Sequence, residues 1–394
     1  MILKDFSLSA VAANIKYQDR LDLGLIYSRT PAVAAGVFTT NQVKAAPVHL
    51  SIERLKQGRC QALLVNSGNA NACTGKEGME AALHTSRLVA EALHIPEEMV
   101  LVASTGVIGL PLNVAAFENN MDALVANLSD EHFNQVAEAI LTTDTVPKTV
   151  ARTVVIGGKE VNFMGMAKGS GMIMPNMATM LAYILTDAQI SFPELKNALK
   201  SAVETTFNRI TVDGDTSTND MVLVMANGTA ENSWIEDSQH PDYELFEDCL
   251  EEVCKELALK IVEDGEGATK RITIRVCGAK EDQDAEQMAR TVANSNLVKA
   301  AFFGEDANWG RILGAMGRSG IRFNSEKVDI AFGDVVIVKN GIGQGHEAEK
   351  NASKILKNRH FTVCIDLQDG TGCEEVYTCD LSIDYVKINA DYRS

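Results

Sequence analysis

The sequence GMAKGSGMIMPNMATMLA occupies residues 165–182 and connects two segments that the apolar pattern predicts as strands. Gly169 and Gly171 give its backbone conformational freedom, and Ala178 leaves space beside its own carbonyl group. Thr179 follows directly, at the start of the predicted strand over residues 180–185. These features allow the Thr179 hydroxyl to approach the preceding peptide bond.

Attack by that hydroxyl would cause an N-to-O acyl shift, and water would then release Thr179 with a free α-amine. Such a threonine combines a nucleophile and a general base in one residue. An unperturbed α-amine has a pKa of about 7.7 to 8.0, so a useful fraction is neutral near pH 7. Taken alone, the residues leave a second interpretation open, in which Thr179 is a buried threonine that begins a strand.

The composition is that of a folded globular protein. A chain of 394 residues with 46% hydrophobic residues predicts two domains or one large layered domain. The net charge of -17 disfavours binding to nucleic acid or to an anionic membrane surface, because both require a cationic face. The first residues lack the pattern of a secretory signal, so we expect a cytoplasmic protein without a membrane span.

The eight cysteines show no C-x-x-C pair, and we expect them to be reduced and mostly buried thiols. The seven histidines lack the spacing of a zinc site, and the acidic loop over residues 213–220 lacks the pattern of an EF-hand. We therefore expect no metal. No serine elbow or phosphate-binding P-loop occurs.

Short strands predominate in the first half of the chain, and residues 152–156 and 160–164 predict a hairpin across Gly157 and Gly158. Helices are predicted over residues 76–95, over residues 131–141 with Asp130 as the cap, and over residues 241–264. This order favours an α+β fold with largely antiparallel mixed sheets. A composition shift places a domain boundary near residue 280, giving domains 1–280 and 281–394.

Two further segments offer polar groups. Residues 104–109, STGVIG, follow a predicted strand, where a hydroxyl and a backbone N–H can converge on a developing oxyanion. Residues 141–145, LTTDT, suit either a polar substrate or the capping of a helix end. Lys168 lies in the glycine-rich loop, where its ammonium suits a substrate carboxylate.

The central stretch, the STGVIG and LTTDT segments and the terminal NADYRS resemble the ornithine acetyltransferase (glutamate N-acetyltransferase) family. The likeness extends from residues 36–41, GVFTTN, through residues 65–71, VNSGNAN, and residues 308–312, NWGRI, to the last residue. It therefore covers essentially the whole chain.

The resemblance implies self-cleavage between Ala178 and Thr179 into an α chain, 1–178, and a β chain that starts at residue 179. It implies that the chains stay assembled, commonly as an α2β2 heterotetramer. The implied reaction transfers the acetyl group of N-acetylornithine to glutamate through acetyl-Thr179, which recycles the acetyl group in arginine biosynthesis. No cofactor is implied, although some members also accept acetyl-CoA as a co-substrate.

The resemblance also implies a layered αββα core with a smaller carboxy-terminal domain, and it assigns roles to individual residues. Thr179 would be the nucleophile, and the Thr105 hydroxyl and the Gly106 N–H would stabilise the oxyanion. The residues implied to contact substrate are Thr142, Lys168, Thr179, Glu266, Asn389 and Ser394.

Two alternatives remain at this stage. In a related self-processing amidohydrolase or aminopeptidase, water rather than an amine would resolve the acyl-enzyme. In a non-catalytic ligand-binding protein, the glycine- and methionine-rich loop would be structural only.

Overall fold

The computed structural model describes residues 3–174 and 180–391. The predicted cleavage site, Ala178 and Thr179, and the terminal Ser394 lie outside the described residues. The strands are β1 (Phe6–Val11), β2 (Leu23–Phe38), β3 (Arg59–Asn66), β4 (Val100–Ser104), β5 (Lys148–Ile156), β6 (Lys159–Lys168), β7 (Leu181–Thr186), β8 (Ile210–Thr211), β9 (Met221–Ala226), β10 (Arg271–Ala279), β11 (Asp329–Phe332), β12 (Val335–Lys339), β13 (Ile342–Gly343), β14 (His360–Asp366) and β15 (Gly372–Cys379). The helices are α1 (Ala46–Arg54), α2 (Gly75–Leu93), α3 (Val114–Ala126), α4 (Phe133–Ala139), α5 (Phe192–Thr205), α6 (Tyr243–Glu263), α7 (Asp282–Ala293), α8 (Asn296–Phe303), α9 (Trp309–Met316), α10 (His346–Ile355) and α11 (Ile383–Ala390).

The chain divides into two compact units, one of residues 1–208 and 215–261 and one of residues 209–214 and 262–394. The division after residue 261 lies earlier than the boundary that we expected near residue 280. The physical reason is that β10 pairs with β14 and β15, so the strand joins the second unit. The composition shift near residue 280 marks only the polar turn after that strand.

In the first unit, eight of the described strands form one mixed sheet in the order β4-β3-β2-β9-β7-β6-β5, with β1 added on β2. The pairs β3–β4 and β7–β9 are parallel, and the other pairs are antiparallel. The long strand β2 joins two parts of this sheet, one with β1, β3 and β4 and the other with β9, β7, β6 and β5. Its first half pairs with β1, and its second half pairs with β9. The largely antiparallel mixed sheet that the sequence predicts is confirmed.

The two parts of the sheet face each other across one apolar core. Leu63 and Leu101, from β3 and β4, belong to the same buried cluster as Tyr183 and Leu223, from β7 and β9. On the other face of β3 and β4, side chains of α2 and α3 form a second buried cluster. A strand layer with core on both faces explains why β4 and β7 are buried along their whole length.

Helix α6 covers the outer face of the second strand layer. Val253 and Leu257 lie 2.8 and 2.9 Å from the position that a Cβ atom on Gly165 of β6 would occupy. The rings of Phe163 and Phe246 lie 5.2 Å apart between β6 and α6. Helices thus enclose both strand layers, so the first unit has the αββα core that the resemblance implies.

The hairpin across Gly157 and Gly158 is confirmed, since β5 and β6 pair from Ile156 opposite Lys159 to Lys148 opposite Ala167. The strand predicted over residues 180–185 is confirmed as β7. Asp130 as a helix cap is wrong, because α4 begins only at Phe133. Ser129 pairs with Leu8 of β1 through two backbone hydrogen bonds, and this pairing holds the chain away from helical geometry until residue 132.

The second unit contains a mixed sheet of seven described strands in the order β13-β12-β11-β14-β10-β15-β8. Buried side chains of α7, α8, α9 and α10 form one apolar cluster with this sheet. Cys277 and Cys373 lie opposite each other on β10 and β15 and form a disulfide, so the expectation that all cysteines are reduced is wrong for this pair. The sequence could not show it, because 96 residues separate the two.

Among the described residues, no helix is long and apolar enough to cross a membrane.

We predict that Phe246→Ala lowers the free energy of unfolding by about 3–5 kcal/mol, because it empties a buried site between α6 and β6. The adjacent variant Leu245→Ala is the control, since the Leu245 side chain is 46% exposed, and its effect should stay within about 0.5 kcal/mol. Urea unfolding followed by circular dichroism measures both. Equal effects of the two variants would contradict the packing of α6 described above.

Candidate functional site

The first polar group of the site lies where β4 ends. Directly after β4, the backbone passes very close to the segment that follows β3. A Cβ atom on Gly106 would lie 2.3 Å from the carbonyl carbon of Gly68. Gly106 also has φ +133°, a conformation that side chains rarely adopt. We call residues 104–107 the crossing loop. Glycine is required at residue 106 for both reasons.

The amides on either side of Gly106 are used within the fold. The Thr105 N–H donates to the Asn66 carbonyl at 2.9 Å, and the Val107 N–H donates to the Gly68 carbonyl at 3.3 Å. The Gly106 N–H donates to no acceptor among the described residues. The crossing loop therefore presents one backbone donor next to the Thr105 hydroxyl.

Lys168, the last residue of β6, lies against this loop. Its Nζ donates to the Thr105 Oγ1 at 3.3 Å and to the Thr142 Oγ1 at 2.9 Å. The Lys168 residue is only 8% exposed. Because the Thr105 oxygen accepts from an ammonium group, the hydroxyl becomes a better donor toward a third atom.

Asp144 holds this ammonium group in place. Its carboxylate lies 4.0 Å from the Lys168 Nζ and 2.6 Å from the Lys148 Nζ, and its side chain is fully buried. The backbone N–H groups of Thr142 and Gly169 also donate to it, at 3.1 and 2.6 Å. Burial by itself raises the pKa of Asp144, but the charges of Lys168 and Lys148 and the hydrogen bonds from Lys148 and Gly169 outweigh it and lower the pKa to about 2.

A second buried carboxyl group behaves in the opposite way. Burial raises the pKa of Asp220 well above its usual range, although the Ser217 and Thr39 hydroxyls and the Lys168 charge act against the shift. Burial therefore disfavours the charged form of the Asp220 carboxyl group. Lys168, Lys148 and Asp144 thus place charged groups next to Thr142.

An asparagine network supports the crossing loop from behind. The Ser104 hydroxyl donates to the Asn66 Oδ1 at 2.6 Å, and the Asn66 Nδ2 donates to the Asn69 carbonyl at 2.9 Å. The Asn219 Nδ2 donates to the carbonyl groups of Ser104 and Ala70. Nearly every polar group of this segment has a partner, which fixes the loop.

In the second unit, Asn389 of α11 donates from Nδ2 to the Glu266 Oε2 at 2.7 Å. Glu266 is 6% exposed and lies in the turn before β10. Gly267, with φ +69°, allows α11 to approach, since a Cβ atom there would lie 2.6 Å from the Tyr385 backbone nitrogen. The structure therefore pairs Glu266 with Asn389, and their contact with a substrate stays a prediction.

The predicted site residues are thus brought together in two groups. Thr105, Gly106, Thr142 and Lys168 converge in the first unit, and Glu266 and Asn389 converge in the second. Thr179, Ala178 and Ser394 lie outside the described residues, so the roles predicted for them stay predictions. Among the described residues, no group of three or more histidine, cysteine or acidic side chains is arranged to hold a metal ion.

Sequence reasoning did not assign Asp144, Lys148, Asn66, Asn219 or Asp220. The LTTDT segment was a signal for Asp144, but its two uses could not be separated, because the partner Lys168 lies 24 residues away, at the end of β6. The spacing of four residues between Asp144 and Lys148 was a further signal, since it allows the two side chains to form an ion pair.

We predict that Asp144→Asn destabilises the protein by about 3–5 kcal/mol at pH 7, because two largely buried ammonium groups would lose their counter-charge. The folded-state pKa of Asp144 is lowered, so its stabilising effect is complete above about pH 4 and is lost as the pH falls toward about 2. The difference between wild type and variant, measured by urea unfolding, should therefore narrow between pH 7 and pH 3.

The matched control is Glu53→Gln, which removes an exposed ion pair with Lys56 and should change stability by less than about 1 kcal/mol at either pH. An Asp144→Asn protein as stable as wild type at pH 7 would show that this carboxylate does not carry the charge balance of the site.

The comparisons with known proteins agree with the resemblance of the motifs. An arginine biosynthesis bifunctional protein ArgJ from Desulfotalea psychrophila is 64% identical over 394 residues, which is 100% of both chains. The protein of the same name from Geobacter sulfurreducens is 52% identical over 394 residues, again 100% of both chains. The crystal structure of ArgJ from Bacillus halodurans has 46% identity and a TM-score of 0.51, and it covers 53% of this chain and 97% of its own. The ArgJ family profile matches residues 7–394, and the chain belongs to the ArgJ family.

Proposed function

We propose that the protein transfers the acetyl group of N2-acetylornithine to glutamate, giving ornithine and N-acetylglutamate in arginine biosynthesis. Its membership of the ArgJ family and the name of its relatives support this proposal. The observation that carries it is the convergence of Thr105, Gly106, Thr142 and Lys168 at the end of β4. Acyl transfer needs such donors, because charge develops on the carbonyl oxygen in the transition state.

In the proposed first half-reaction, the Thr179 Oγ attacks the acetyl carbonyl carbon while the α-amine of the same residue takes the hydroxyl proton. The oxygen of the tetrahedral intermediate accepts hydrogen bonds from the Thr105 hydroxyl and the Gly106 N–H. The C–N bond then breaks, and the Thr179 ammonium returns its proton to the departing nitrogen of ornithine. An acetyl ester remains on Thr179.

In the second half-reaction, the α-amine of glutamate attacks this ester and gives up a proton to the Thr179 amine. The ester C–O bond breaks, the threonine hydroxyl is restored and N-acetylglutamate leaves. Both half-reactions use the same oxyanion donors, because the two intermediates differ only in the amine.

Charge supports the choice of amino-acid substrates. Lys168 carries an ammonium group that suits an α-carboxylate, and Thr142 adds a hydroxyl beside it. Glu266 supplies a carboxylate that suits the side-chain ammonium of ornithine, and Asn389 orients it. We also assign substrate contact to Ser394.

The finer parts of the proposal concern the assembly and the second donor. The chain cleaves itself before Thr179, and its two parts stay together as an α2β2 heterotetramer in the cytoplasm, without nucleic acid or a membrane as partner. No cofactor is needed, and acetyl-CoA serves as a second acetyl donor, which the word "bifunctional" in the name of the relatives supports. N-acetylglutamate formed from acetyl-CoA and glutamate, without acetylornithine, tests this last point.

We predict that Thr179→Ala gives one uncleaved chain of 394 residues without acetyl transfer, because both the nucleophile and the future α-amine are removed. Intact-mass spectrometry and formation of N-acetylglutamate from acetylornithine and glutamate measure the two effects. The next residue in the sequence, Met180, has no hydroxyl that could replace the lost nucleophile.

Thr206→Ala is a suitable control, because this buried threonine lies after α5 and its hydroxyl bonds only to the Ala202 carbonyl among the described contacts. It should cleave and react normally. An active wild-type protein that remains one intact chain would refute the mechanism, and free acetate in place of N-acetylglutamate would show a hydrolase.

We further predict that Thr105→Ala lowers kcat by about 10²–10³-fold, the usual cost of removing one oxyanion donor. KM should change little, because the hydrogen bond strengthens only in the transition state. Thr105→Ser is the matched control, since it keeps the hydroxyl. A Thr105→Ala protein with unchanged kcat would remove Thr105 from the oxyanion site.

A further inference from the structure

We propose that Asn219 is a positioning residue that sets the crossing loop in its place relative to strands β7 and β9. This inference rests on the proposed function, because it gives Asn219 an effect on catalysis through the oxyanion donors Thr105 and Gly106. It assigns Asn219 no contact with substrate.

The contacts of Asn219 use its whole amide group. Its Nδ2 donates to the Ala70 carbonyl at 2.6 Å and to the Ser104 carbonyl at 2.8 Å, and its Oδ1 accepts from the Thr218 hydroxyl at 2.6 Å. The residue is 6% exposed. Both hydrogens of the amide are therefore committed to carbonyl groups on two different segments.

These two carbonyl groups flank the proposed oxyanion donors. Ser104 directly precedes Thr105 in the chain. Ala70 is held to the other side of the loop, because its N–H donates to the Val107 carbonyl at 3.0 Å. A shift of the Asn219 amide would thus move both ends of the Thr105–Gly106 segment.

Asn219 itself is attached to the strand pair β7–β9. It lies two residues before Met221, the first residue of β9, whose N–H donates to the Met180 carbonyl at 3.0 Å. Met221 also lies opposite Leu181 in the parallel register of the two strands. Asn219 therefore connects the crossing loop to the strand that begins just after Thr179 in the sequence.

Acyl-transfer sites tolerate little displacement of their catalytic groups. Catalytic groups must be held within about 0.5 Å of productive geometry, and an error of about 1 Å can cost about 10²-fold in rate. Among side chains of this size, only asparagine offers two N–H donors on one planar group. Aspartate offers only acceptors, and leucine offers no polar group. Asparagine at residue 219 is therefore a requirement of the geometry.

The experiment compares Asn219→Ala with Asn232→Ala in fully self-cleaved protein, isolated after intact-mass analysis. Asn232 is a matched control in the same unit: it is 3% exposed, its Nδ2 donates to the Gln189 and Ser233 carbonyls, and its Oδ1 accepts from the Gln189 N–H. We expect Asn219→Ala to lower kcat about 10²-fold with KM within about threefold of wild type. Asn232→Ala should lower the unfolding midpoint similarly and leave kcat unchanged.

A double variant separates positioning from general damage. If Asn219 acts through the crossing loop, Thr105→Ala combined with Asn219→Ala should lose clearly less kcat than the product of the two single losses, because the Thr105 hydroxyl is already absent and only the Gly106 N–H is left to be displaced. Losses that multiply would overturn the inference, as would an Asn219→Ala protein with wild-type kcat. If Thr105→Ala alone keeps its activity, the oxyanion assignment of the proposed function fails instead.

Asn219→Ser covers the case in which the alanine variant does not fold or cleave. A serine hydroxyl can satisfy one of the two carbonyl groups, so kcat should fall by less than in the alanine variant while KM stays unchanged. A wild-type kcat in Asn219→Ser, beside a lowered kcat in Thr105→Ala, would overturn the positioning role.

Discussion

The site in the first unit depends on one buried carboxylate. The Asp144 carboxylate forms an ion pair with the ammonium group of Lys148, the first residue of β5. It also lies near the ammonium group of Lys168, the last residue of β6. It also accepts the N–H of Gly169, where the chain leaves β6. A single side chain thus ties together the two ends of a hairpin and aims Lys168 at Thr105 and Thr142. Burying two ammonium groups without a counter-charge would be strongly unfavourable.

The elements around this carboxylate follow from local sequence. Two glycines between β-branched segments predict the β5–β6 hairpin, and an apolar run predicts β7, because these signals act over a few residues. The resemblance of the motifs adds the αββα layering, which apolar alternation alone does not give. The predicted start of α4 was wrong because the pairing of Ser129 with Leu8 is a tertiary contact, and no local propensity contains it.

The site is harder to predict than the fold, for the same physical reason. Thr105 and Lys168 are 63 residues apart, and Asn219 reaches Ser104 across 115 residues. Residue type indicates that a threonine after a strand can donate a hydrogen bond, but not which ammonium group faces its oxygen. Asn219 gave no signal in the sequence, since a buried asparagine is recognised only by the carbonyl groups that it satisfies. Glu266 and Asn389 were predicted as site residues only because the motif resemblance named both.

The glycine at residue 106 also limits how this scaffold can be altered by design or by natural drift. The backbone of Gly68 occupies the space that a side chain at residue 106 would need. Any other residue at this position would therefore push the two backbones apart. Variant libraries that aim at new acyl donors should therefore leave the crossing loop unchanged. They should vary the residues proposed to contact the amino-acid part of the substrate. In the proposed function, Glu266 and Asn389 serve substrate recognition, and neither takes part in the contact between Gly106 and Gly68, so changes at those two residues leave this backbone contact intact.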